Sequence, residues 1–176
     1  VVAMAAKKMG DQGGRKAAFY FGSGNVAAGI CGAFIGGHGQ DLCRTESSLH
    51  PLAELRWHGG SDEDCQQGRD LGESVNLTRR LVNLPPNHIY PESVAGEMQQ
   101  LADEVGLGIE IWDEDRLVEE NCQALLAVAR GSVRKPRLVI LNYKGGAEDQ
   151  APVALVGKGV TFDSGGYSLK PSDGMK

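Results

Sequence analysis

Three side chains late in the sequence combine two amines with one carboxylate at defined spacing. Lys158 stands between two glycines, Asp163 follows five residues later, and Lys170 follows after seven more. The apolar run Val153–Val156 just before them predicts a buried strand of a parallel sheet. Ligands of open α/β sheets bind beyond the carboxyl ends of such strands, and glycines allow the backbone to approach a bound group closely. We therefore expect the chemistry of this chain in residues 156–170.

Each of these residues also has a simpler interpretation. Asp163 is of a type that caps turns, Lys158 could face solvent at a strand end, and Lys170 could bind a phosphate or carboxylate or lie on the surface before Pro171. A solvent-facing lysine explains neither the glycines beside Lys158 nor its distance from Asp163. A carboxylate framed by glycines beyond a strand end is a natural ligand for a hard cation. At the level of single residues, a metal ligand and a turn-capping aspartate therefore both remain open for Asp163.

The same stretch resembles the signature of the leucyl (cytosol) aminopeptidase family, which are dinuclear metallopeptidases. Residues 156–170 contain Gly-Lys-Gly, Thr-Phe-Asp-Ser-Gly-Gly and Ser-Leu-Lys in a fixed order. Two further blocks are similar to the family in the right order, Asn76–Asn87 with its Pro-Pro-Asn turn and Ala124–Leu138. The resemblance covers residues 70–176 well and the preceding segment more loosely.

The resemblance implies a role for each of the three residues. Lys158, through a deprotonated amine, and Asp163, through its carboxylate, would be metal ligands. Lys170 would remain an ammonium that polarises the scissile carbonyl and stabilises the developing oxyanion. The cofactors would be two divalent metal ions, Mn²⁺ or Zn²⁺, which lower the pKa of a shared water. No residue is implied to bind another cofactor.

The implied activity is the release of N-terminal amino acids, leucine and similar ones, from peptides with a free N-terminus. The family's other ligands are an aspartate shortly past Lys176 and a distant Asp-x-Glu-x-Arg group, so these 176 residues would hold half an active site. The resemblance also implies a homo-oligomer, a hexamer, when the protein is full length. We expect the given sequence to be an incomplete chain.

The composition disfavours several other classes of protein. A hydrophobic content of 41% and a net charge of -5 are typical of soluble globular proteins, and no Lys/Arg-rich stripe is present to bind nucleic acid. No apolar run approaches the roughly 20 residues that span a bilayer. Lys7 and Lys8 follow the first apolar residues, whereas a signal peptide has its charges first. We expect a cytoplasmic protein without membrane or nucleic-acid partners.

The cysteines and histidines do not form a recognisable metal or disulfide motif. The four cysteines lack a Cys-x-x-Cys spacing, and the four histidines lack a His-Glu-x-x-His pair. A zinc ribbon, a disulfide framework and a one-zinc helix are therefore disfavoured.

Two functions of other classes remain open. A phosphate- or nucleotide-binding module could use Gly157-Lys158-Gly159 as an anion cradle, although a P-loop has Ser or Thr after the lysine. Another glycine loop, Gly22-Ser23-Gly24, lacks the third glycine and the acidic residue of the dinucleotide pattern. A non-catalytic scaffold with the same fold is the second alternative. The joint presence of Lys158, Asp163 and Lys170 argues against it.

The first part of the chain predicts a short α/β arrangement. We expect a helix over residues 1–9, a strand over 15–21, a helix capped by Asn25 that continues to Gly37, and an irregular connection or strand over 38–60. Ser61 and Asp64 form a capping-box pattern that predicts a helix to Leu84. We expect Leu71, Val75 and Val82 on its buried face.

The later part predicts alternating helices and strands. A helix should run from Pro91 to a stop at Gly106, and Asp113 should cap another helix over 113–121. We expect strands at 109–112, 124–129, 138–143 and 153–156. The fold class is therefore α/β: a remnant of an N-terminal α/β domain and the first part of an α/β/α layered catalytic domain.

The expected domains are 1–60 (partial N-terminal domain), 61–75 (linker helix) and 76–176 (part of the peptidase domain). Lys158 and Asp163 should converge at the carboxyl end of the 153–156 strand and share one cation, with Lys170 near the same cleft.

Overall fold

A computed structural model describes residues 2–20, 24–38, 42–43, 45–46, 51–147 and 149–175. Contacts divide the chain into two compact units, Val1–Leu84 and Pro85–Lys176. The Gly22-Ser23-Gly24 stretch, disfavoured above as a nucleotide-binding loop, lies mostly outside the described residues. Among the described residues, every helix is too short or too polar to cross a lipid bilayer.

The first unit is a βαβ arrangement flanked by helices. Strands β1 and β2 are parallel, with Lys16 opposite Glu54 and Tyr20 opposite His58. Asn25 caps the second helix, because its side chain accepts a hydrogen bond from the backbone of Ala28 at 2.8 Å, as predicted. The elements in order are α1 (Val2–Asp11), β1 (Lys16–Tyr20), α2 (Val26–Gly37), β2 (Glu54–His58) and α3 (Asp62–Asn83).

The α2 and α3 helices pack through glycines. A Cβ at Gly68 would lie 2.6 Å from the carbonyl oxygen of Ala27, and one at Gly72 would lie 2.5 Å from Cβ of Phe34. Only glycine allows the helices to approach this closely. Asn76, one turn further, is buried and donates to the carbonyl oxygen of Phe34 at 3.2 Å. The buried face of α3 is therefore the one that carries Gly68, Gly72 and Asn76.

This packing makes the predicted face of α3 wrong. The helix itself and its Ser61–Asp64 capping box are confirmed. Leu71, Val75 and Val82, however, are 50%, 38% and 76% exposed. The hydrophobic residues predicted that their own side of the helix would be buried. The side that carries the glycines is buried instead, because it lets the backbones of α2 and α3 approach closely. The whole of α3 belongs to the first unit, and the domain boundaries at 60 and 75 stay a prediction.

The second unit combines a helix with an antiparallel strand pair. Strands β3 and β4 pair with Gly108 opposite Asn142 and Trp112 opposite Leu138. Gly106 ends α4 in the left-handed conformation, and Asp113 caps α5, both as predicted. The elements are α4 (Pro91–Val105), β3 (Gly108–Trp112), α5 (Glu114–Glu119), α6 (Gln123–Ala129), β4 (Leu138–Asn142) and a 3₁₀ turn (Ser172–Gly174).

Two of the predicted strands in this unit are wrong. Residues 124–129 lie in helix α6; a short apolar run cannot be assigned by periodicity alone, and Ala and Leu are strong helix formers. Residues 153–156 have no regular structure, and Val153, Leu155 and Val156 are 88%, 95% and 97% exposed. An apolar strand forms only against neighbouring strands and covering helices, and no described residue covers this run.

Candidate active-site loop

The segment Asp163–Lys170, here called the 163–170 loop, closes on itself through backbone hydrogen bonds. The amide of Lys170 donates to the carbonyl of Ser164 at 2.9 Å, and that of Ser168 donates to the carbonyl of Gly165 at 3.1 Å. Gly165 and Gly166 have φ of 88° and 59°, the left-handed region that favours glycine. A Cβ at Gly165 would collide with the carbonyl oxygen of Ser168 and lie 3.1 Å from Cγ of Lys170.

This closure brings the ends of the loop together through their side chains. Asp163 Oδ1 accepts from the Gly165 amide at 2.9 Å, and Asp163 Oδ2 accepts from Lys170 Nζ at 3.0 Å. The Asp163 and Lys170 side chains are 53% and 38% exposed, so the ion pair is in contact with solvent. A carboxylate and an ammonium are thus held side by side at an accessible position.

The electrostatics of Asp163 favour its ionised form. The hydrogen bond from Lys170 lowers the pKa of this carboxyl most, followed by the Gly165 amide and the charge of Lys170. The charge of Lys158 lowers the same pKa by the smallest amount. Asp163 is therefore a carboxylate at neutral pH, as a metal ligand must be.

Lys158 occupies a different setting from the other two residues. It is exposed, on a segment without regular structure, and Gly157 and Gly159 beside it have open space where a Cβ would be. The structure therefore brings Asp163 and Lys170 into direct contact and does not form the strand at whose end Lys158 and Asp163 were expected to converge. That convergence remains a prediction.

The donor atoms present fit part of a metal site. An amine nitrogen and a carboxylate oxygen suit Zn²⁺ or Mn²⁺. Among the residues that the structure describes, no group of three or more His, Cys, Asp or Glu side chains could hold a metal ion. Lys158 and Asp163 could thus supply two ligands, and other ligands would have to complete the coordination sphere.

The geometry gives no support to a phosphate cradle at Gly157-Lys158-Gly159. Such a cradle ends at the N-terminus of a helix, whose amides and dipole bind the anion. Residues 151–171 contain no helix. The phosphate-binding alternative therefore lacks the element that would bind the ligand.

Sequence reasoning missed a charged cluster in the second unit. Lys135 donates to Glu92 Oε1 through its backbone at 3.2 Å and pairs with Glu114 at 2.7 Å, while Arg137 lies 3.9 Å from Glu92. Arg134 stacks over the Tyr90 ring at 3.8 Å. These contacts fasten the basic segment before β4 onto the start of α4 and α5. The cluster of three basic residues at 134–137 was the available signal, but their partners are far away in sequence.

The pairing of Lys170 with Asp163 was also not predicted. Its signal was the Gly165-Gly166 pair between the two charged residues, which permits the reversal of the chain. The simpler interpretation of Lys170 as a carboxylate-binding lysine describes the contact that the structure forms.

Comparison with known proteins identifies the family. The sequence model of the cytosol aminopeptidase family, catalytic domain, matches residues 76–176. The chain is 49% identical over 151 residues to the "Probable cytosol aminopeptidase" of Rhodopirellula baltica, which covers 86% of this chain. It is 52% identical over 110 residues, 62% of this chain, to the protein of the same name in Syntrophotalea carbinolica. The chain spans only 30% and 22% of the lengths of these relatives.

Solved structures agree with the sequence comparison and with the mixed α/β fold. The bottromycin maturation enzyme BotP in complex with Mn superposes with a TM-score of 0.79 and 32% identity, over 98% of this chain and 38% of BotP. A mutant tomato leucine aminopeptidase superposes with a TM-score of 0.81 and 27% identity, over 93% of this chain and 36% of its own. This chain therefore belongs to the cytosol aminopeptidase family.

Proposed function

We propose that this chain is part of a metal-dependent aminopeptidase that releases N-terminal amino acids, leucine and similar ones, from peptides. The observation that carries the proposal is the Asp163–Lys170 contact at 3.0 Å inside the segment that matches the family's catalytic domain. The Mn-bound relative supports the choice of cofactor. Peptides with a free N-terminus are the substrates that this activity requires.

Each of the three residues has a distinct task in this proposal. Two divalent ions, Mn²⁺ or Zn²⁺, would supply Lewis acidity toward the peptide carbonyl and the attacking water. Lys158 and Asp163 would hold metal, which would require Lys158 to lose the proton that a free lysine carries at neutral pH. Lys170 keeps its proton and donates a hydrogen bond to the carbonyl oxygen as negative charge develops there.

The chain by itself contains too few ligands for this chemistry. Lys158 and Asp163 provide two donors, and the part of the chain that the structure describes has no acidic or histidine cluster to add to them. We infer that further carboxylates come from a full-length protein of the length of the curated relatives. We also infer that this full-length protein acts in the cytoplasm as a homo-hexamer.

The test separates metal binding from turnover in the full-length protein. Hydrolysis of a leucyl anilide is followed with added Mn²⁺ or Zn²⁺, and bound metal is determined in parallel. We expect Asp163→Ala to lose metal together with activity. Lys170→Met should retain metal and lose turnover by about 10²–10³-fold, the loss known for removal of one oxyanion donor. Lys144→Met is the matched control, because it removes an exposed lysine outside the 163–170 loop.

Two results would contradict these roles. Full metal content in the Asp163→Ala protein would remove that carboxylate from the metal site. Unimpaired turnover of the Lys170→Met protein would remove the amine from the mechanism.

A further inference from the structure

Both carboxylate oxygens of Asp163 are occupied by donors from the same loop. The Gly165 amide lies 2.9 Å from Oδ1, and the Lys170 ammonium lies 3.0 Å from Oδ2. Each carboxylate oxygen has two lone pairs, so one remains on Oδ2 for a cation. A metal ion bound through Oδ2 would therefore lie next to a cationic group of this chain.

We propose that the Lys170 ammonium is a placeholder: it occupies Asp163 in the metal-free protein and is released toward the substrate when a divalent cation binds. The inference rests on the proposed function and adds a step that precedes catalysis. This step links the proposed role of Asp163 as a metal ligand to that of Lys170 as a donor to the substrate. Metal binding at Asp163 would itself free the amine that acts on the substrate.

The Asp163–Lys170 ion pair is weak enough for a divalent cation to replace the ammonium. Both side chains are partly exposed, at 53% and 38%, and exposed ion pairs are weak in water. A divalent ion interacts more strongly with a carboxylate than a monovalent ammonium does, since its charge is doubled. It also repels an ammonium held on the same carboxylate. The pair is thus weak enough to yield to the metal.

The loop is built so that only the amine needs to move. Its closure depends on the backbone bonds from Lys170 to Ser164 and from Ser168 to Gly165, neither of which uses the lysine side chain. The Gly165 amide can keep Asp163 Oδ1 in place during the exchange. The four-carbon stem of lysine has enough rotatable bonds to carry the ammonium away from Oδ2. After release, the backbone of Lys170 therefore stays bonded to Ser164, and only its ammonium changes position.

The first test measures the affinity of the full-length protein for Mn²⁺ alone. We expect Lys170→Met to lower the apparent Kd for Mn²⁺ about twofold to fivefold, the range typical of exposed ion pairs, because the competing cation is gone. Lys170→Arg keeps a competing cation and should change the Kd by less than about 1.5-fold, as should Lys144→Met. An equal gain in the Lys144→Met protein would reveal a general charge effect and overturn the proposal, as would an unchanged Kd for Lys170→Met.

The second test measures whether contact with Asp163 protects the Lys170 amine from acetylation. The rate of acetylation of Lys170 is followed by peptide mass spectrometry in a buffer that contains a metal chelator. We expect acetylation of Lys170 to be faster in the Asp163→Asn protein without any metal, and added Mn²⁺ to speed it in the protein without this substitution. An acetylation rate that neither change alters would show that the amine is not held on Asp163.

The two proposals fail in different ways. If the full-length protein binds Mn²⁺ and hydrolyses the anilide but Lys170→Met leaves the Kd unchanged, only the placeholder is refuted. If the full-length protein binds neither Mn²⁺ nor Zn²⁺, the proposed function is refuted and the placeholder with it.

Discussion

The α2–α3 helix pair and the 163–170 loop are two regions in which glycine decides the structure, for opposite purposes. In the helix pair, Gly68 and Gly72 are buried and remove side-chain volume so that two backbones can touch. In the loop, Gly165 and Gly166 supply left-handed turns on an accessible segment. Burial orders the first region, and local hydrogen bonds order the second. The charged side chains of the loop therefore stay partly exposed, whereas the glycine face of α3 is buried.

The largest effect that tests this comparison is expected at Gly68. A Cβ there would lie 2.6 Å from a backbone oxygen of α2, so Gly68→Ala should force the helices apart and cost about 1–3 kcal/mol. Gly96 in α4 is the matched control, since nothing lies within 4 Å of its added Cβ. Gly96→Ala should stabilise its helix by roughly 0.5–1 kcal/mol.

The two tryptophans allow the two units to be followed separately. Trp57 lies in the first unit and Trp112 in the second. Denaturant unfolding of Gly68→Ala is best monitored through Trp57 in a Trp112→Phe background, and that of Gly96→Ala through Trp112 in a Trp57→Phe background. A Gly68→Ala protein as stable as its parent would contradict the close packing of α2 and α3.

A smaller and more local effect is expected at Gly165. Its φ of 88° strains any L-residue, and its Cβ would meet Ser168 and Lys170. The left-handed conformation costs about 1–2 kcal/mol, so Gly165→Ala should speed hydrogen exchange of the Lys170 amide about fivefold to thirtyfold. Gly166→Asn is the control, because Asn tolerates this conformation and no atom lies within 4 Å of the Gly166 Cβ position. Equal exchange rates in the two variants, measured by NMR, would argue against the loop geometry.

The smallest effect is a dependence of stability on pH at the Lys16–Glu54 ion pair between β1 and β2. The hydrogen bond from Lys16 lowers the pKa of Glu54, and Arg56 lowers it further. A lowered carboxyl pKa stabilises the fold above the ordinary Glu value, and this stability is lost as pH falls through the folded pKa. Because Lys16 is exposed and Glu54 is only half-buried, water weakens the pair and the gain should be slight.

The Glu54 test compares thermal unfolding of the unmodified protein with that of Glu54→Gln between pH 7 and pH 2.5, monitored at Trp57. The unmodified protein should melt slightly higher at neutral pH, and the difference should vanish as the pH drops below the range in which a Glu titrates. A difference that grows on acidification would contradict the sign of the shift.

Local signals in the sequence predicted more of the fold than hydrophobicity did. Asn25, Ser61 with Asp64, and Asp113 each cap a helix, and Gly106 ends one, all as expected. These features depend on bonds within one turn of the chain. The predicted strand at 153–156 and the predicted face of α3 depend instead on partners distant in sequence, which a local pattern cannot supply.

The candidate site shows the same limit. Spacing and residue type were enough to propose Lys158, Asp163 and Lys170 as candidates, because the motif is contiguous, and their roles stay a prediction. The direct contact of Asp163 with Lys170 was not predicted, since it depends on the left-handed turns at Gly165 and Gly166. The position of Lys158 relative to Asp163 depends on whether the preceding segment joins a sheet, which the residues of this segment do not determine alone.

The most direct test of the central claim compares the 176-residue chain with the full-length protein in one assay. Both are purified, loaded with Mn²⁺ or Zn²⁺, and tested for hydrolysis of a leucyl anilide with bound metal quantified in the same samples. We predict turnover and two bound ions per chain for the full-length protein, and neither for the 176-residue chain, because Lys158 and Asp163 supply only part of one metal site. Turnover by the 176-residue chain alone, or a full-length protein that neither binds metal nor hydrolyses the anilide, would contradict this account.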